Sequence, residues 1–221
     1  MDNRHRIGND STPSELGGQS GYLSQTGMLF SHKHTVLVDF NWQQKFNEGQ
    51  SALIIGRYDP NDYMDALGYV NPFTAFSNLD ILLDMSIALP DNSWGIGGGH
   101  WFNESVYILG GLNDANGTVD TLQFFDGGSE FFKYVELGWS PSQGERYFKN
   151  INVTLWEMDD RSAYGENNTS NDGSYGIALA ANWIWDHEWV KFLMNLLTHY
   201  KQPMIHKPLL KHFIASRSHK T

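Results

Sequence analysis

Along most of this chain apolar and polar side chains alternate with a period of two, the pattern of strands whose two faces meet different surroundings. The clearest stretch runs from Val135 to Trp185. A strand ends at Val135-Glu136-Leu137-Gly138-Trp139, and a turn follows at Ser140-Pro141-Ser142-Gln143-Gly144-Glu145. In the return strand Ile151, Val153 and Leu155 share one face, and Asn152, Thr154 and Trp156 share the other. After a polar loop, Tyr175, Ile177, Leu179, Ala181, Trp183 and Trp185 alternate with Gly176, Ala178, Ala180, Asn182 and Ile184. Two architectures fit this pattern. In a soluble sandwich the apolar face packs on a second sheet. In an outer-membrane barrel it faces lipid, and the polar or small face lines a lumen.

The same alternation predicts strands over 35–46, 52–58, 93–101, 106–112 and 188–197. In the first of these, Val36, Val38, Phe40 and Trp42 alternate with Leu37, Asp39, Asn41 and Gln43. A weak strand over 21–30 and a short helix near 80–87 are also expected. Short connections at 47–50, 102–104, 140–146 and 186–187 alternate with long ones at 59–92, 113–129 and 159–173. That is an up-and-down meander with every long loop at one end, as outer-membrane barrels are built. A Greek-key sandwich would scramble the order. Trp42, Trp101, Trp139, Trp183, Trp185 and Trp189 all sit near short turns, which suits an interfacial aromatic girdle.

Composition narrows the class. The 221 residues carry 25 Asp and Glu against 15 Lys and Arg, which argues against a nucleic-acid partner. There is no cysteine, so disulfides and thiolate metal sites are excluded. No apolar run reaches the roughly 20 residues of a membrane helix. The start, Met1-Asp2-Asn3-Arg4-His5-Arg6, has no apolar core behind its charges and is not a secretory signal peptide. A barrel protein with this start is expected to be part of a longer gene product. Residues 1–26 are expected as a polar segment, 27–197 as the strand-rich unit, and 198–221 as a basic, non-native or disordered tail. That tail holds His199, His206, His212 and His219, but the spacing suits no compact metal site.

Several motifs then line up in order. Ile55-Gly56-Arg57-Tyr58-Asp59-Pro60-Asn61-Asp62-Tyr63, Asn71-Pro72-Phe73-Thr74-Ala75-Phe76-Ser77-Asn78-Leu79 and Ile87-Ala88-Leu89-Pro90-Asp91 resemble the carbohydrate-selective porin family (OprB-type). So do Leu109-Gly110-Gly111-Leu112-Asn113-Asp114-Ala115-Asn116-Gly117, the turn at Glu136-Leu137-Gly138-Trp139-Ser140-Pro141 with Arg146-Tyr147-Phe148, and Leu155-Trp156-Glu157-Met158-Asp159-Asp160-Arg161. The resemblance spans about Gly27 to Phe192. It implies an antiparallel transmembrane β-barrel in the bacterial outer membrane, passing sugars such as glucose by diffusion. Porins of this kind have about 16–18 strands, so a chain of about eight or nine is expected to form an incomplete barrel. Expected partners are mono- or oligosaccharides and outer-membrane lipid, with a homo-oligomer as an option, and no catalysis or cofactor is needed.

A sugar pore needs polar groups that exchange hydrogen bonds with hydroxyls, and aromatic faces for the ring. Trp156 is the first candidate platform, because it shares a face with Asn152 and Thr154. Glu136, opposite Val135, Leu137 and Trp139, should also point inward. Arg57 is placed to meet carboxylates near a long loop. Asp62, Asp159 and Arg161 could line the mouth, with Asp59 and Asp160 beside them. For each, the plainer alternative is a solvated loop charge or, for Trp156, a ring packed under a loop. A competing class is a soluble β-sandwich, either a sugar-binding module or a glycoside hydrolase. The hydrolase would use Glu136 and Glu157 as its carboxylate pair.

Overall fold

The computed structural model describes residues 2–5, 35–64, 87–118, 129–161, 172–185, 188–200 and 214–218. Among the described residues are ten strands: β1 Asp2–His5, β2 Thr35–Phe46, β3 Ser51–Tyr58, β4 Ser93–Trp101, β5 Val106–Asp114, β6 Phe131–Trp139, β7 Lys149–Met158, β8 Ser174–Trp185, β9 Glu188–Tyr200 and β10 Ile214–Ser218. They form one sheet in sequence order, each antiparallel to the next. The up-and-down meander expected from the spacing of the turns is therefore the observed topology. Among the described residues β1 and β10 each have one neighbour, so the sheet is open rather than closed on itself.

Several boundaries differ from expectation. Residues 2–5, read as polar loop, pair with β2 from Thr35 to Asp39. The stretch expected as a disordered tail supplies the last residues of β9 and all of β10. A strand needs neighbours more than it needs clean alternation, and backbone pairing captures both segments. The expected strand over 21–30 and nearly all of the expected helix near 80–87 lie outside the described residues, and Ile87 sits in a bend.

Register carries the alternation from strand to strand. Trp139 pairs with Ile151, Leu137 with Val153 and Val135 with Leu155. Ile151 pairs in turn with Ala181, Val153 with Leu179 and Leu155 with Ile177. On the other side Val135 pairs with Gly110 and Leu137 with Ile108. One face of the sheet is thus a continuous field of aliphatic residues, and it is uncovered. Leu155 and Ile151 are each 51% exposed, and Ile55, Ile96, Leu112, Val135 and Leu137 are exposed with them. The opposite face is polar yet buried: Glu136, Asn150, Asn113 and Asn182 are fully buried, with Thr154 and Asn152 nearly so.

Aromatic residues border the aliphatic field. Trp139 and Trp183 stack with centroids 6.2 Å apart at the end of the short turns, and Phe46 and Phe102 are exposed at the same end. Tyr175 is exposed at the far end of β8, and Phe40, midway along β2, meets Trp94 edge-on at 6.4 Å near the start of β4. From Tyr175 to Trp183 is about 26 Å of strand at the usual rise. Trp101 departs from the expected girdle: it turns inward and packs against Tyr107 at 4.9 Å. Its pairing partner across the sheet is Tyr107, which fixes its face.

The chain leaving β3 covers part of the polar face. Asp59 accepts from Asn61 N at 2.9 Å and so caps the turn Pro60–Asp62, which sends residues 63 and 64 back over the sheet. Met64 is fully buried there with Phe132, Tyr134, Trp156, Met158, Ile87 and Ala115. The hydroxyl of Tyr63 accepts from Gln43 Nε2 at 2.7 Å, tying this layer to β2.

Candidate functional site

The inner face between β5 and β8 holds the densest polar cluster. Its centre is Glu136, which is fully buried. Glu136 Oε1 accepts from Tyr107 Oη at 2.8 Å and from Arg146 Nη2 at 3.1 Å, and Oε2 accepts from Thr154 Oγ1 at 3.3 Å. The Arg146 guanidinium lies over the Tyr107 ring at 4.6 Å and near the Tyr147 ring at 5.7 Å. One cation, one anion and two aromatic faces are thus interlocked. The pairing neutralises both charges, and the surrounding hydrogen bonds offset part of their desolvation. A second cluster runs from Tyr58 Oη to Asn113 Oδ1 at 3.0 Å, and from Asn113 Nδ2 to Ser93 Oγ at 3.2 Å.

Three aromatic rings lie flat over a glycine on the neighbouring strand. Tyr107 pairs with Gly138, Tyr134 with Gly111, and Trp156 with Gly176. A Cβ at Gly138 would overlap the Tyr107 ring. That ring is fixed, because its hydroxyl is bonded to Glu136 and its face is covered by Arg146. We expect Gly138→Ala to cost about 1–3 kcal/mol by forcing the ring off this seat. Denaturant unfolding checks the value, and Tyr107→Leu in the same background should recover part of it.

The expected site residues fall into two groups. Glu136 and Trp156 do face inward, on adjacent strands, where Glu136 pairs with Thr154 and Tyr134 with Trp156. Trp156 is 4% exposed, packed among Met64, Phe132 and Met158, so its ring is held under the returning chain. Among the described residues its indole Nε1 meets no hydrogen-bond partner. The remaining four are not gathered with them. Arg57 is buried and donates to two backbone carbonyls, from Nε to Leu37 O at 3.1 Å and from Nη2 to Thr118 O at 2.6 Å. Asp62 is exposed in the turn after β3. Asp159 closes the end of the β6–β7 pair, accepting from Phe131 N at 2.9 Å and from Lys133 Nζ at 2.8 Å. Arg161 follows it, half-buried, beyond the end of β7. Glu157 lies on the outer face against Lys133 at 3.6 Å, so it and Glu136 are on opposite sides of the sheet and form no carboxylate pair.

Asp59 sits beside Asp62, Asp91 and Asp39. Burial pushes its carboxyl up to about 7, and the neighbouring carboxylates act in the same direction. An acid held above its unfolded value keeps its proton more firmly in the folded state. Stability from this group is therefore full below about pH 4 and is lost as pH rises towards 7. We expect the urea midpoint to fall between pH 4.5 and 8, and Asp59→Asn to flatten that slope. An unchanged slope in the variant would assign it to other groups.

A cavity of about 800 Å³ opens beside Arg146, lined by Gln43, Ile54, Tyr63, Trp101, Tyr107 and Leu109 among others. Tyr107, Arg146 and Tyr63 were not among the sequence candidates, although all three shape this space. The motif Asp114-Ala115-Asn116-Gly117 makes a local turn: Asp114 Oδ1 accepts from Asn116 N at 2.9 Å, and Asn116 Nδ2 donates to Glu130 at 2.7 Å. No group of three or more metal-ligating side chains occurs among the described residues, and no described helix is long and apolar enough to cross a membrane. Comparison of the chain with family models, with curated proteins and with solved structures finds no match.

Proposed function

We propose that this sheet is part of an outer-membrane β-barrel that lets carbohydrates diffuse through a water-filled channel. The observation that carries the reading is the inversion of the two faces. A water-soluble sheet turns its aliphatic face to the core and its polar face to water. Here Ile55, Ile96, Val135, Leu137, Ile151 and Leu155 are uncovered while Glu136, Asn150, Thr154 and Asn182 are buried. Exposed apolar area of that extent is stable against acyl chains and is a liability against water. The aromatic residues at the two ends of the field suit the two interfaces of a hydrocarbon layer about 25 Å tall.

The inner face suits polyols. Amides, a threonine, tyrosines and a neutralised Glu136–Arg146 pair offer hydrogen bonds of both senses without a strong net field. Where the cavity beside Arg146 opens such groups to solute, hydroxyl exchanges for water at little cost, which is what passage requires. The reading also needs the open edges at β1 and β10 to be paired in the membrane, because unpaired backbone is not tolerated in hydrocarbon.

Purified in detergent and mixed with preformed phospholipid vesicles, the chain is expected to float with them after a urea wash. Isotonic sugar solutions should then swell the vesicles, monosaccharides faster than tetrasaccharides. A monodisperse chain that stays in water without detergent would defeat the membrane reading. Membrane insertion with no sugar-dependent swelling would defeat the channel reading alone.

A further inference from the structure

We infer that the turn joining β6 to β7 is a strap that closes one mouth of the inner cavity and is built to lift. The inference rests on the channel reading for its consequence, but not for its geometry. Residues 140–148 do not stand off the sheet as a plain turn would. Gln143 Nε2 reaches Gly49 O in the β2–β3 turn at 2.9 Å, across 94 residues of sequence. Arg146 Nη2 reaches inward to Tyr63 O at 2.6 Å and to Glu136 at 3.1 Å. Tyr147 O accepts from Asn182 Nδ2 at 2.7 Å, which holds the far leg of the strap down on β8.

Ser105 Oγ donates to Pro141 O at 3.3 Å and Asn150 Nδ2 to Arg146 O at 2.6 Å, so both legs are held, and the attachments at the tip and at Arg146 differ in kind. Gln143 is exposed, and its single bond to a carbonyl in a turn is in competition with water. Arg146 is mostly covered and held by a carboxylate and two rings. Between them Glu145 is paired with Lys149 at 2.9 Å, while a side chain added at Gly144 would touch nothing within 4 Å. The strap therefore has a loose outer end and a firm inner latch.

What it covers is imperfectly satisfied. Arg146 Nε, Asn152 Oδ1 and Asn182 Oδ1 are buried with no hydrogen-bond partner. Asn150 and Asn182 pair across β7 and β8, and Asn152 lies one pleat further on, so the amides form a shelf under the strap. Each orphaned atom raises the free energy of the closed form relative to one in which water or a sugar hydroxyl reaches it. The latch opposes that drive. The two arrangements in question are closed, with the ion pair covered, and open, with the shelf wet.

The chain has no cysteine, so one can be placed as a clean reporter. Leu109→Cys puts a thiol on the cavity wall behind the strap. Its reaction with a charged, water-soluble maleimide should be slower than at an open site, because Leu109 is only partly exposed while the strap is down. Adding Gln143→Ala, which removes an exposed side chain and leaves the fold intact, should raise the rate roughly three- to tenfold, the factor one net hydrogen bond carries. Arg146→Met should raise it further, unless that variant unfolds, in which case Gln143→Ala alone decides. A reporter at Gly144→Cys sets the rate of an unprotected thiol. The strap is overturned if Leu109→Cys already reacts at that rate, or if Gln143→Ala leaves the rate within twofold. Labelling is read in detergent without transport, so it separates loss of the strap from loss of the channel. Where vesicle swelling is seen, Gln143→Ala should speed tetrasaccharides more than monosaccharides.

Discussion

Leu155→Arg is expected to destabilise the membrane-folded chain by about 2–4 kcal/mol, the cost of a cation near the middle of a lipid-facing strand. Leu155 lies near the centre of β7 and is half exposed, between Val135 and Ile177 on the flanking strands. The number discriminates because of that exposure. If water bathed this face, replacing an uncovered leucine by arginine would change stability by no more than about 0.5 kcal/mol either way. Urea unfolding from phospholipid vesicles reads the difference directly. Glu157→Arg, nearer the end of the same strand, should cost about 0–1 kcal/mol in the same assay. Equal small effects at both positions would remove the lipid from the account.

Glu136→Ala is expected to cost about 3–5 kcal/mol, because it leaves Arg146 mostly buried without its carboxylate. It also strips acceptors from Tyr107 and Thr154. The informative form is a cycle. Replacing Glu136 and Arg146 together, by leucine and methionine, removes both charges and should cost much less than the sum of the single changes. Additive single and double values would mean that the pair is not coupled, and that the 3.1 Å contact contributes nothing measurable.

Much of this arrangement was legible in the chain, and the reasons are particular. Around Glu136 and Trp156 the strands alternate, so the inward direction of both follows from their neighbours in sequence. The meander follows from the alternation of short and long connections, which are local features. Direction fails where alternation fails. Four of the nine residues of β4 are glycine, so nothing in its sequence said that Trp101 would turn inward against Tyr107. Arg57 stands in a strand with apolar residues on both faces, and its partners are carbonyls contributed by 37 and 118. Arg146 lies in a turn, where period-two reasoning assigns no face; its place is set by Glu136 and Tyr63, which come from other parts of the chain. Tyr107 could have been noticed as an inward tyrosine, but only the register brings it to Glu136.

The aromatic–glycine pairs on the inner wall have one more implication. Because Tyr107, Tyr134 and Trp156 each rest on a residue with no side chain, the members of a pair are not independent units of change. In any descendant of this sequence, a bulkier residue at 111, 138 or 176 must arrive with a smaller one at 134, 107 or 156. The thickness of side chains on this face is then set by couples exchanging volume across neighbouring strands, and it can stay constant while both members of a couple are replaced.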